Sequence, residues 1–415
     1  MAKTTYTLPI GPIHPALKEP TMFKFVMDGE VVKEVDVQPG VNHRGIEFIG
    51  MRRNPLQVLH LAERICGICS IVHQYAFTMA SEKAAGIPPT ERSQYIRTIM
   101  AELERIHSHM LWAGVAAHEL GFDTLLHWTW KLREEVQDVL EYISGNRVNY
   151  AMYYQGGVRR DIPPEKVPRI KKLLTDYRRE FRKLADAFLE DPVFQHRTVD
   201  VGILTYRDAL ETSAVGPTTR ASGVKKDVRV DQPYGAYADM DLKPCLPEDI
   251  GCPNTGDSYA KTAVRLLEVA QSLDIIEYCL DNMPPGPIRW EMNVNKVLMH
   301  MKKAGGEAIG RTEAPRGEMI HYVRLDPGDE NVSCWKVRAS TYNNILAWQK
   351  MLVGAQIADV AIVAASIDPC IGCMDRVTVT DGSGKQRVMT KEDFYRLSVK
   401  KTRELMRQGV RGRIV

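Results

Sequence analysis

The sequence contains no long uninterrupted apolar run, and its N-terminal residues lack the apolar segment that follows the basic start of a secretory signal. The longest apolar stretch, 351–367, is interrupted by Gln356 and Asp359, and it is shorter than the about 20 apolar residues that cross a bilayer. We therefore predict a buried helix at 351–367. Because nothing in its N-terminus directs export, we expect the chain to stay in the cytoplasm.

An excess of charge of either sign is also absent, as are internal repeats and low-complexity segments. Lys and Arg total 55 against 52 Asp and Glu, which leaves a formal net charge of +3. This balance gives no electrostatic reason for an anionic membrane or nucleic acid to be the main partner, so we expect no nucleic-acid partner. Eight cysteines in a chain expected in a reducing compartment argue against a disulfide framework and suggest metal or redox chemistry.

The periodicity of apolar residues predicts a mainly α fold with small β elements, of the α+β class, built on a central bundle of long helices. Residues 22–37 alternate apolar and polar side chains around Asp28-Gly29, which favours a β-hairpin. From about residue 54 the spacing becomes helical, with Thr90 as a plausible N-cap of one long amphipathic helix. Further helical segments are predicted at 134–144, 164–191, 258–283 and 340–366.

The last residues predict a second small β element followed by a helix. Residues 377–389 have the pattern of a hairpin, and 390–408 that of a helix capped by Thr390. We therefore expect three regions: an N-terminal β-containing segment at 1–53, a helical core at 54–376 that carries the catalytic chemistry, and a C-terminal extension at 377–415.

Two C-x-x-C pairs lie far apart in the chain, Cys66 with Cys69 and Cys370 with Cys373. Such a pair places two thiolates on one side of a turn, and soft thiolate ligands favour nickel, iron, copper(I) or zinc. Structural zinc modules usually hold their pairs about 15 to 20 residues apart, thioredoxin-like dithiols need a βαβ context, and iron-sulfur ligands usually include a tighter run of cysteines. The spacing therefore predicts one four-thiolate metal site without naming the metal.

The segments around these pairs resemble the two signature motifs of the nickel-iron hydrogenase large subunit, RICGICSIVH at 64–73 and DPCIGC at 368–373. Other segments are similar to the energy-converting, membrane-bound branch of that family, which is itself similar to the quinone-site subunit of respiratory complex I. These segments are HRGIE (43–47), ELERIHSH (102–109), GGVRRD (156–161), GPTTRASG (216–223) and EAPRGEMIHY (313–322).

The resemblance implies the fold of that large subunit and a nickel held by four cysteine sulfurs. Cys66 and Cys370 would be terminal ligands. Cys69 and Cys373 would bridge to an iron that carries carbonyl and cyanide ligands. Thiolates donate charge strongly to nickel and accept protons beside it, which suits the splitting of hydrogen into a proton and a hydride.

Four more residues are expected around this centre. The resemblance places Arg316 over the diatomic ligands and the open metal position, with Pro315 shaping the same wall. We expect His73 to donate a hydrogen bond to a bridging sulfur, and Asp368 to make a similar contact. The alternative for His73 is a buried histidine whose hydrogen bonds are satisfied within the core.

Two glutamates match functional positions of the family. Glu19 matches the carboxyl group that carries protons in the membrane-bound branch. Glu47 matches a glutamate that helps other hydrogenases to bind magnesium, although here it could instead pair with Arg44 or belong to the proton path. The classical subunits end in a metal-binding histidine after the second C-x-x-C, where this chain has Met374-Asp375-Arg376. Magnesium is therefore a possible cofactor and not a required one. We also expect residues 377–415 to stay in the mature protein and not to be removed by a peptidase.

The resemblance implies the catalytic subunit of a membrane-bound, energy-converting hydrogenase that reduces protons reversibly with electrons from ferredoxin. The sequence has no further cysteine run for an iron-sulfur cluster, so a small partner subunit should carry the proximal cluster. Further iron-sulfur subunits and membrane-embedded, antiporter-like subunits would couple the reaction to ion translocation. This chain would lie in the peripheral arm, at the cytoplasmic face of the cell membrane.

Two other functions compete with this interpretation. The first is a complex I-like subunit that reduces a quinone or another acceptor without nickel. Quinone-type relatives lack the four thiolates that this chain has at 66, 69, 370 and 373, which favours a hydrogenase. The second is a structural protein with a four-cysteine zinc site, which metal analysis would distinguish.

Overall fold

The computed structural model describes residues 5–14, 17, 19–374, 379–380, 386–387 and 391–409. The chain divides into two compact units, Met1–Asp375 and Arg376–Val415. Both cysteine pairs belong to the first unit. Long helices and small antiparallel sheets together confirm the predicted α+β class.

The strands of the described residues form four small sheets, in the orders β1-β2-β3, β4-β5, β6-β7-β8 and β9-β10. Every neighbouring pair is antiparallel. The strands are β1 (Thr5–Ile10), β2 (Met22–Asp28), β3 (Val31–Gln38), β4 (Tyr153–Tyr154), β5 (Gly157–Val158), β6 (Gly306–Ala314), β7 (Gly317–Leu325), β8 (Cys334–Arg338), β9 (Val379–Thr380) and β10 (Gln386–Arg387).

The α-helices make up most of the regular structure. They are α1 (Ile46–Gly50), α2 (Pro55–Glu63), α3 (Ser70–Ala85), α4 (Glu91–Glu119), α5 (Asp123–Ser144), α6 (Val167–Glu190), α7 (Pro192–Thr198), α8 (Tyr206–Glu211), α9 (Pro217–Arg220), α10 (Val228–Asp231), α11 (Ser258–Asn282), α12 (Val294–Lys303), α13 (Thr341–Asn344), α14 (Trp348–Met351), α15 (Val360–Ser366) and α16 (Lys391–Arg407). No helix among the described residues is both long and apolar enough to cross a membrane.

Helix α4 is the central element of the first unit, and most of its side chains are buried. It packs against α5, α11 and α15, so apolar residues are found on more than one of its faces. The helix begins directly after Thr90, as predicted. The Thr90 hydroxyl does not cap it, however, because this oxygen is buried without a hydrogen-bond partner.

The predicted N-terminal hairpin is present as β2 and β3, which are joined by a turn with Gly29 at φ 60°. The alternation of apolar residues along β2 buries Phe23, Phe25 and Met27 on one face. That face packs against Trp348 of α14. Strand β1, which we did not expect, adds to the outer edge of β2.

The predicted continuous helix over 340–366, with its buried continuation to 367, is wrong. The segment is divided into α13, α14 and α15, and Gly354 adopts φ 88° between the last two. At this break the backbone bonds to β3, with Gly354 donating to Val32 and Val32 donating to Ala355. The strand edge therefore replaces the helical hydrogen bonds that the apolar spacing predicts.

The sheet β6-β7-β8 is a second element that the sequence did not predict, and it packs on α3. Gly310 lies where a Cβ atom would collide with the backbone of Ala76, so a glycine permits the close approach of strand and helix. Strands β6 and β7 are joined by the two-residue turn Pro315-Arg316. The fold thereby places Arg316 at the tip of a hairpin.

In the second unit, β9 pairs with β10 and the long helix is α16. The predicted hairpin and helix at 377–408 are therefore confirmed in the part that the structure describes. The expected cap, Thr390, lies outside the described residues.

Candidate metal centre

The four cysteines of the two C-x-x-C pairs meet in the interior of the first unit. All four sulfur atoms lie within 4.8 Å of one another, and each residue is buried. The closest distances are 2.7 Å between Cys370 and Cys373, 3.3 Å between Cys66 and Cys370, and 3.6 Å between Cys69 and Cys373. The two ends of this unit thus contribute one pair each.

This donor set fits a single thiophilic transition metal. Four convergent sulfurs with no carboxylate in the group match the preferences of zinc, nickel or iron, and not those of magnesium or calcium. Hydrogen bonds, first from Cys370 and then from Cys373, hold the pKa of the Cys66 thiol well below its usual value. Close contact among the sulfurs therefore favours an ionised thiol in this cluster, as a metal ligand requires.

Each pair lies where the local structure directs both sulfurs inward. Cys66 follows the end of α2, and Cys69 is the N-cap residue of α3. The amide groups of Ile68 and Cys69 point back at the Cys66 sulfur, at 3.3 and 3.4 Å. In the second pair, Cys370 is the N-cap residue of a 3₁₀ turn at Ile371–Cys373, and Cys373 is the last residue of that turn.

Arg44 joins the two cysteine turns. Its guanidinium donates to the carbonyl oxygens of Arg64 at 3.2 Å and of Ile65 at 2.7 Å, directly before the first pair. It also donates to the carbonyl oxygen of Gly372, inside the second pair. One planar side chain with several donors thus connects two segments that are far apart in sequence.

A buried glutamate from α4 holds the start of α3. Glu104 accepts hydrogen bonds from the backbone N–H of Ile71 at 2.6 Å and of Val72 at 3.1 Å. It also accepts one from the Ser70 hydroxyl at 3.2 Å. Burial raises the pKa of Glu104 well above its usual value, against the lowering effect of the two amides. Glu104 supplies the cap that the Cys69 side chain does not.

Glu19 has the matching position on the second cysteine turn. Its carboxylate accepts from the backbone N–H groups of Ile371 and Gly372. A Cβ atom at Gly372 would lie 2.8 Å from one Glu19 oxygen, so a glycine leaves room for the carboxylate. Burial, followed by the charge of Cys66, raises the pKa of Glu19.

Arg316 is buried beside the sulfurs and held by Asp368. Its Nε donates to the Asp368 backbone oxygen, and its Nη2 donates to one carboxylate oxygen, both at 2.8 Å. Nη1 lies 3.4 Å from the Ser108 hydroxyl. Asp368 adopts φ 54°, and its second carboxylate oxygen is buried without a hydrogen-bond partner. Asp368 thus contacts Arg316, which lies beside the sulfurs.

The tip of the β6–β7 hairpin carries this arginine between close neighbours. Gly317 and Gly216 lie so close that a Cβ atom on either would collide with the backbone of the other segment. Both have positive φ, at 114° and 70°. Asn344 donates to the Arg316 carbonyl oxygen at 3.1 Å and accepts from Val215 at 2.8 Å, which joins the two segments. Pro315 is the other residue of this turn.

His73 extends from the first turn of α3 towards the second cysteine pair. Its Nε2 lies 3.4 Å from the Cys373 sulfur, and its Nδ1 lies 3.1 Å from Nε2 of His321. Burial lowers the pKa of His73 to about 4, so the ring is neutral at physiological pH. The expected hydrogen bond to a cysteine sulfur has the required geometry.

Glu47 lies apart from the four sulfurs and is held by β8. One carboxylate oxygen accepts from the backbone N–H of Val337 at 2.8 Å, and the other pairs with Lys336 at 3.1 Å. Within the described residues, the only cluster of potential metal ligands is the set of four cysteines.

An apolar cavity of 530 Å³ ends at the centre. Phe23, Ile68 and Val360 are among the apolar residues that line it. Glu19 and Arg316 supply polar groups where the cavity reaches Cys370. A small apolar molecule could therefore approach the sulfurs beside a carboxyl group and a fixed positive charge.

Comparison with known families matches the chain in two parts. Residues 44–113, which contain the first cysteine pair, match the family described as nickel-dependent hydrogenase. Residues 119–376, which contain the second pair, match the family described as the 49 kDa subunit of respiratory-chain NADH dehydrogenase. The chain belongs to this hydrogenase and complex I family.

Individual relatives of this family agree with the assignment. The membrane-bound hydrogenase subunit alpha of Pyrococcus furiosus is 46% identical over 98% of this chain and 96% of its own length. The carbon monoxide-induced hydrogenase of Rhodospirillum rubrum is 37% identical over 90% of this chain and its full length. A chain of the membrane-bound sulfane sulfur reductase, described as an archaeal respiratory membrane complex, superposes with a TM-score of 0.83 at 30% identity, covering 91% of this chain and all of the other.

Of the residues that the family resemblance singled out, the structure places most around the sulfurs. Arg316 and Asp368 lie together, His73 reaches Cys373, and Glu19 lies on the turn of Cys370.

The sequence reasoning missed Arg44, Glu104 and His321 as residues of the site, and also Trp335, whose Nε1 donates to Nδ1 of His321 at 3.2 Å. The first three lie within motifs quoted for the resemblance, which was the available signal. Their partners become apparent only in three dimensions, and Trp335 lies outside every quoted motif.

Proposed function

We propose that the chain is the catalytic subunit of a membrane-bound, energy-converting nickel-iron hydrogenase. The observation that carries the proposal is the convergence of four buried cysteine sulfurs within 4.8 Å, from both signature motifs. Relatives with hydrogenase names over nearly the whole chain support it. The reaction is the reversible conversion of two protons and two electrons into hydrogen.

The four cysteines would hold the metal centre, with Cys66 and Cys370 terminal and Cys69 and Cys373 bridging between nickel and an iron with carbonyl and cyanide ligands. Bound there, the centre supplies a redox-active metal with an open position for hydrogen. The protein supplies a dry pocket with fixed groups around the sulfurs.

Glu19 is the proposed carrier of protons to and from this pocket. It lines the cavity together with Cys370, and its raised pKa lets it hold a proton at a carboxylate oxygen closer to neutral pH. The two amides of Ile371 and Gly372 orient the carboxyl group without sealing it from the cavity. Protons would therefore enter beside the second cysteine pair.

Arg316 provides a positive charge that does not move. Its guanidinium is clamped by both the backbone and the carboxylate of Asp368. Because the group is buried and always charged, it acts strongly on ligands in the pocket. Pro315 would shape the wall beside it, and His73 would tune the basicity of the Cys373 sulfur through its N–H group.

Electrons would come from other subunits. Within the described residues, the four cysteines are the only group that could hold a metal, so the proximal iron-sulfur cluster would lie in a small partner subunit. Relatives that belong to membrane complexes support a peripheral position for this chain, which we place at the cytoplasmic face. Ferredoxin as donor, further iron-sulfur subunits and antiporter-like membrane subunits that translocate ions complete the proposal.

The magnesium site of other hydrogenases is not included in the proposed centre. Glu47 would be its ligand, but its two carboxylate oxygens bond to Val337 and Lys336. We propose instead that Glu47 holds β8 against α1.

Metal analysis and infrared spectroscopy of the purified complex test the function together. We expect about one nickel per chain with accompanying iron, and absorption bands of carbonyl and cyanide bound to iron, where protein does not absorb. One zinc per chain without nickel would contradict the proposal, as would nickel without the diatomic bands.

A second candidate is a complex I-like subunit that reduces a quinone or another acceptor without nickel. The match of residues 119–376 to the 49 kDa subunit family and the apolar cavity beside Glu19 favour it. One assay of the purified complex distinguishes the two candidate functions. Reduction of a short-chain quinone in a nickel-free preparation supports the second candidate, whereas hydrogen production that depends on nickel supports the first.

A further inference from the structure

Three buried rings form a chain that ends at a cysteine of the centre. The Trp335 Nε1 donates to Nδ1 of His321 at 3.2 Å. The Nε2 of His321 lies 3.1 Å from Nδ1 of His73, and the Nε2 of His73 lies 3.4 Å from the Cys373 sulfur. All three rings are 0% exposed, so water does not compete for these bonds.

Only one arrangement of protons satisfies every contact among these three rings and the Cys373 sulfur. The indole N–H of Trp335 can only donate, so Nδ1 of His321 must be an acceptor and its proton must be on Nε2. That proton is donated to Nδ1 of His73, which must then be an acceptor as well. The single ring proton of His73 is left on Nε2, and it points at the Cys373 sulfur.

The fold places these rings together through strand register and one glycine. His321 on β7 is paired with Val337, and Trp335 lies two residues before Val337 on β8, so both rings lie on the same face of the sheet. Helix α3 packs on that sheet and carries His73. A Cβ atom at Gly50 would collide with the Trp335 ring, so this glycine makes room for it.

We infer that Trp335 and His321 are positioning residues that keep the ring proton of His73 on Nε2, directed at Cys373. Without the indole N–H, the opposite arrangement becomes possible, in which His73 donates through Nδ1 to His321. The Nε2 lone pair of His73 would then face the sulfur, and the sulfur would lose a hydrogen-bond donor. The proton assignment needs only the contacts above, whereas its effect on a metal rests on the proposed function.

The loss of this donor has a measurable electronic consequence. A hydrogen bond withdraws electron density from a ligating sulfur and lowers its basicity. Cys373 would bridge to the iron, so a sulfur without the bond donates more charge to that metal. Carbonyl bound to a more electron-rich iron absorbs at a lower wavenumber.

Infrared spectra of the purified complex with Trp335→Phe test the inference. This change keeps an aromatic ring and removes the N–H group. We expect the carbonyl band to move to lower wavenumber, or a second band to appear there, with nickel retained. Trp128→Phe is the control, because Trp128 packs against the core of the first unit but is not among the residues that line the cavity at the centre. We expect its bands to match the unaltered complex.

Nuclear magnetic resonance of the full-length chain labelled with ¹⁵N-histidine tests the proton positions without any variant and without metal. We expect Nδ1 of both His73 and His321 to resonate as unprotonated ring nitrogens. A protonated Nδ1 in either ring overturns the inference, as do unchanged infrared bands in Trp335→Phe. A complex without nickel and carbonyl bands would overturn the proposed function alone, because the resonance measurement remains.

Discussion

Glu19 and Glu104 each accept hydrogen bonds from two backbone amides that follow an N-cap cysteine. Cys69 is the N-cap of α3 and Cys370 that of the 3₁₀ turn, and neither sulfur caps the amides that follow. The sulfurs of Cys69 and Cys370 converge with the other two sulfurs instead of turning back to these donors, so the acceptor comes from another part of the chain. This need for a distant glutamate explains why Glu104 escaped an analysis based on sequence spacing.

Removal of the Glu104 carboxyl group should loosen the first cysteine turn. In Glu104→Ala the N–H groups of Ile71 and Val72 remain buried without an acceptor, which costs about 1–3 kcal/mol for each donor. We expect a lower free energy of unfolding in chemical denaturation and less nickel per chain. Glu104→Gln keeps one acceptor oxygen, so its free energy of unfolding and its nickel content should lie between those of the unaltered protein and those of Glu104→Ala. Full nickel content in Glu104→Ala would show that the cap does not position the turn.

Replacement of Glu19 by Gln should separate proton transfer from assembly of the centre. The amide oxygen can still accept from Ile371 or Gly372, but the glutamine side chain cannot take up or release a proton at physiological pH. We expect hydrogen turnover to fall by about 10²–10⁴-fold while nickel content and infrared bands stay the same. Glu34→Gln, on the exposed side of β3, is the control with the same change of charge.

The pH dependence of turnover gives the same residue a second test. Burial raises the pKa of Glu19, so the acid form that delivers protons persists to higher pH than in a free carboxyl group. Hydrogen production should decline as pH rises through this pKa, and hydrogen oxidation should decline as pH falls through it. Both declines should be absent from the residual activity of Glu19→Gln.

At the scale of elements, the sheet β6-β7-β8 shows where the periodicity of apolar residues fails to predict strands. Its strands carry Arg311, Glu313 and Glu318 at buried or partly buried positions, and these charges interrupt the apolar alternation by which strands are recognised. They are tolerated because they pair with one another and with neighbours, as Arg311 and Arg338 do with Glu318. Because tertiary ion pairs allow charged residues on these strands, the sequence pattern did not predict the sheet that carries Arg316, His321 and Trp335.

The helices were predictable where a single apolar pattern continued without competition. Helices α4, α6 and α11 follow their predicted segments closely, and their apolar residues are buried. The segment 340–366 has the same spacing, but the helix predicted for it is wrong, because the backbone of Gly354 and Ala355 bonds to the edge of β3 instead. A competing strand cannot be recognised from the local pattern.

The turn between β6 and β7 should be sensitive to one added methyl group. Gly317 has φ 114°, and a Cβ atom there would collide with the backbone of Gly216. We expect Gly317→Ala to displace Arg316 and lower hydrogen turnover by about 10²-fold, the cost of a misplacement of about 1 Å. Gly328→Ala is the control, since it also has positive φ but nothing within 4 Å. Similar turnover in both variants would argue against a precise position for Arg316.

At the scale of the whole first unit, Arg44 holds two distant parts of the chain together. The cysteine motifs predicted that residues near 66 and 370 would meet, and their sulfurs do meet. The sequence suggests Arg44 only as a partner of Glu47, whereas the described bonds that join the two cysteine turns run from Arg44 to backbone carbonyl oxygens. Carbonyl groups are the same in every residue, so no pattern of side chains could reveal these bonds.

Arg44→Met should weaken the junction between the two cysteine turns without unfolding the helices. The carbonyl oxygens of Ile65 and Gly372 lose their shared donor, which costs about 1–3 kcal/mol. We expect a lower nickel content and a lower melting temperature, with unchanged helical circular dichroism. Arg53→Met removes the same charge from an exposed side chain that bonds only to the neighbouring Arg52, among the bonds described. Equal nickel content in the two variants would contradict the role of Arg44.

The origin of the four sulfurs in two remote stretches also affects how the protein is made. During synthesis the ribosome releases Cys66 and Cys69 long before Cys370 and Cys373. Until then a nascent chain offers an incoming ion only half of its thiolates, and two ligands bind a metal far more weakly than four. Loading of the proposed metal would therefore wait until both cysteine pairs have been synthesised, and a product terminated between the two pairs would offer only two of the four sulfur ligands.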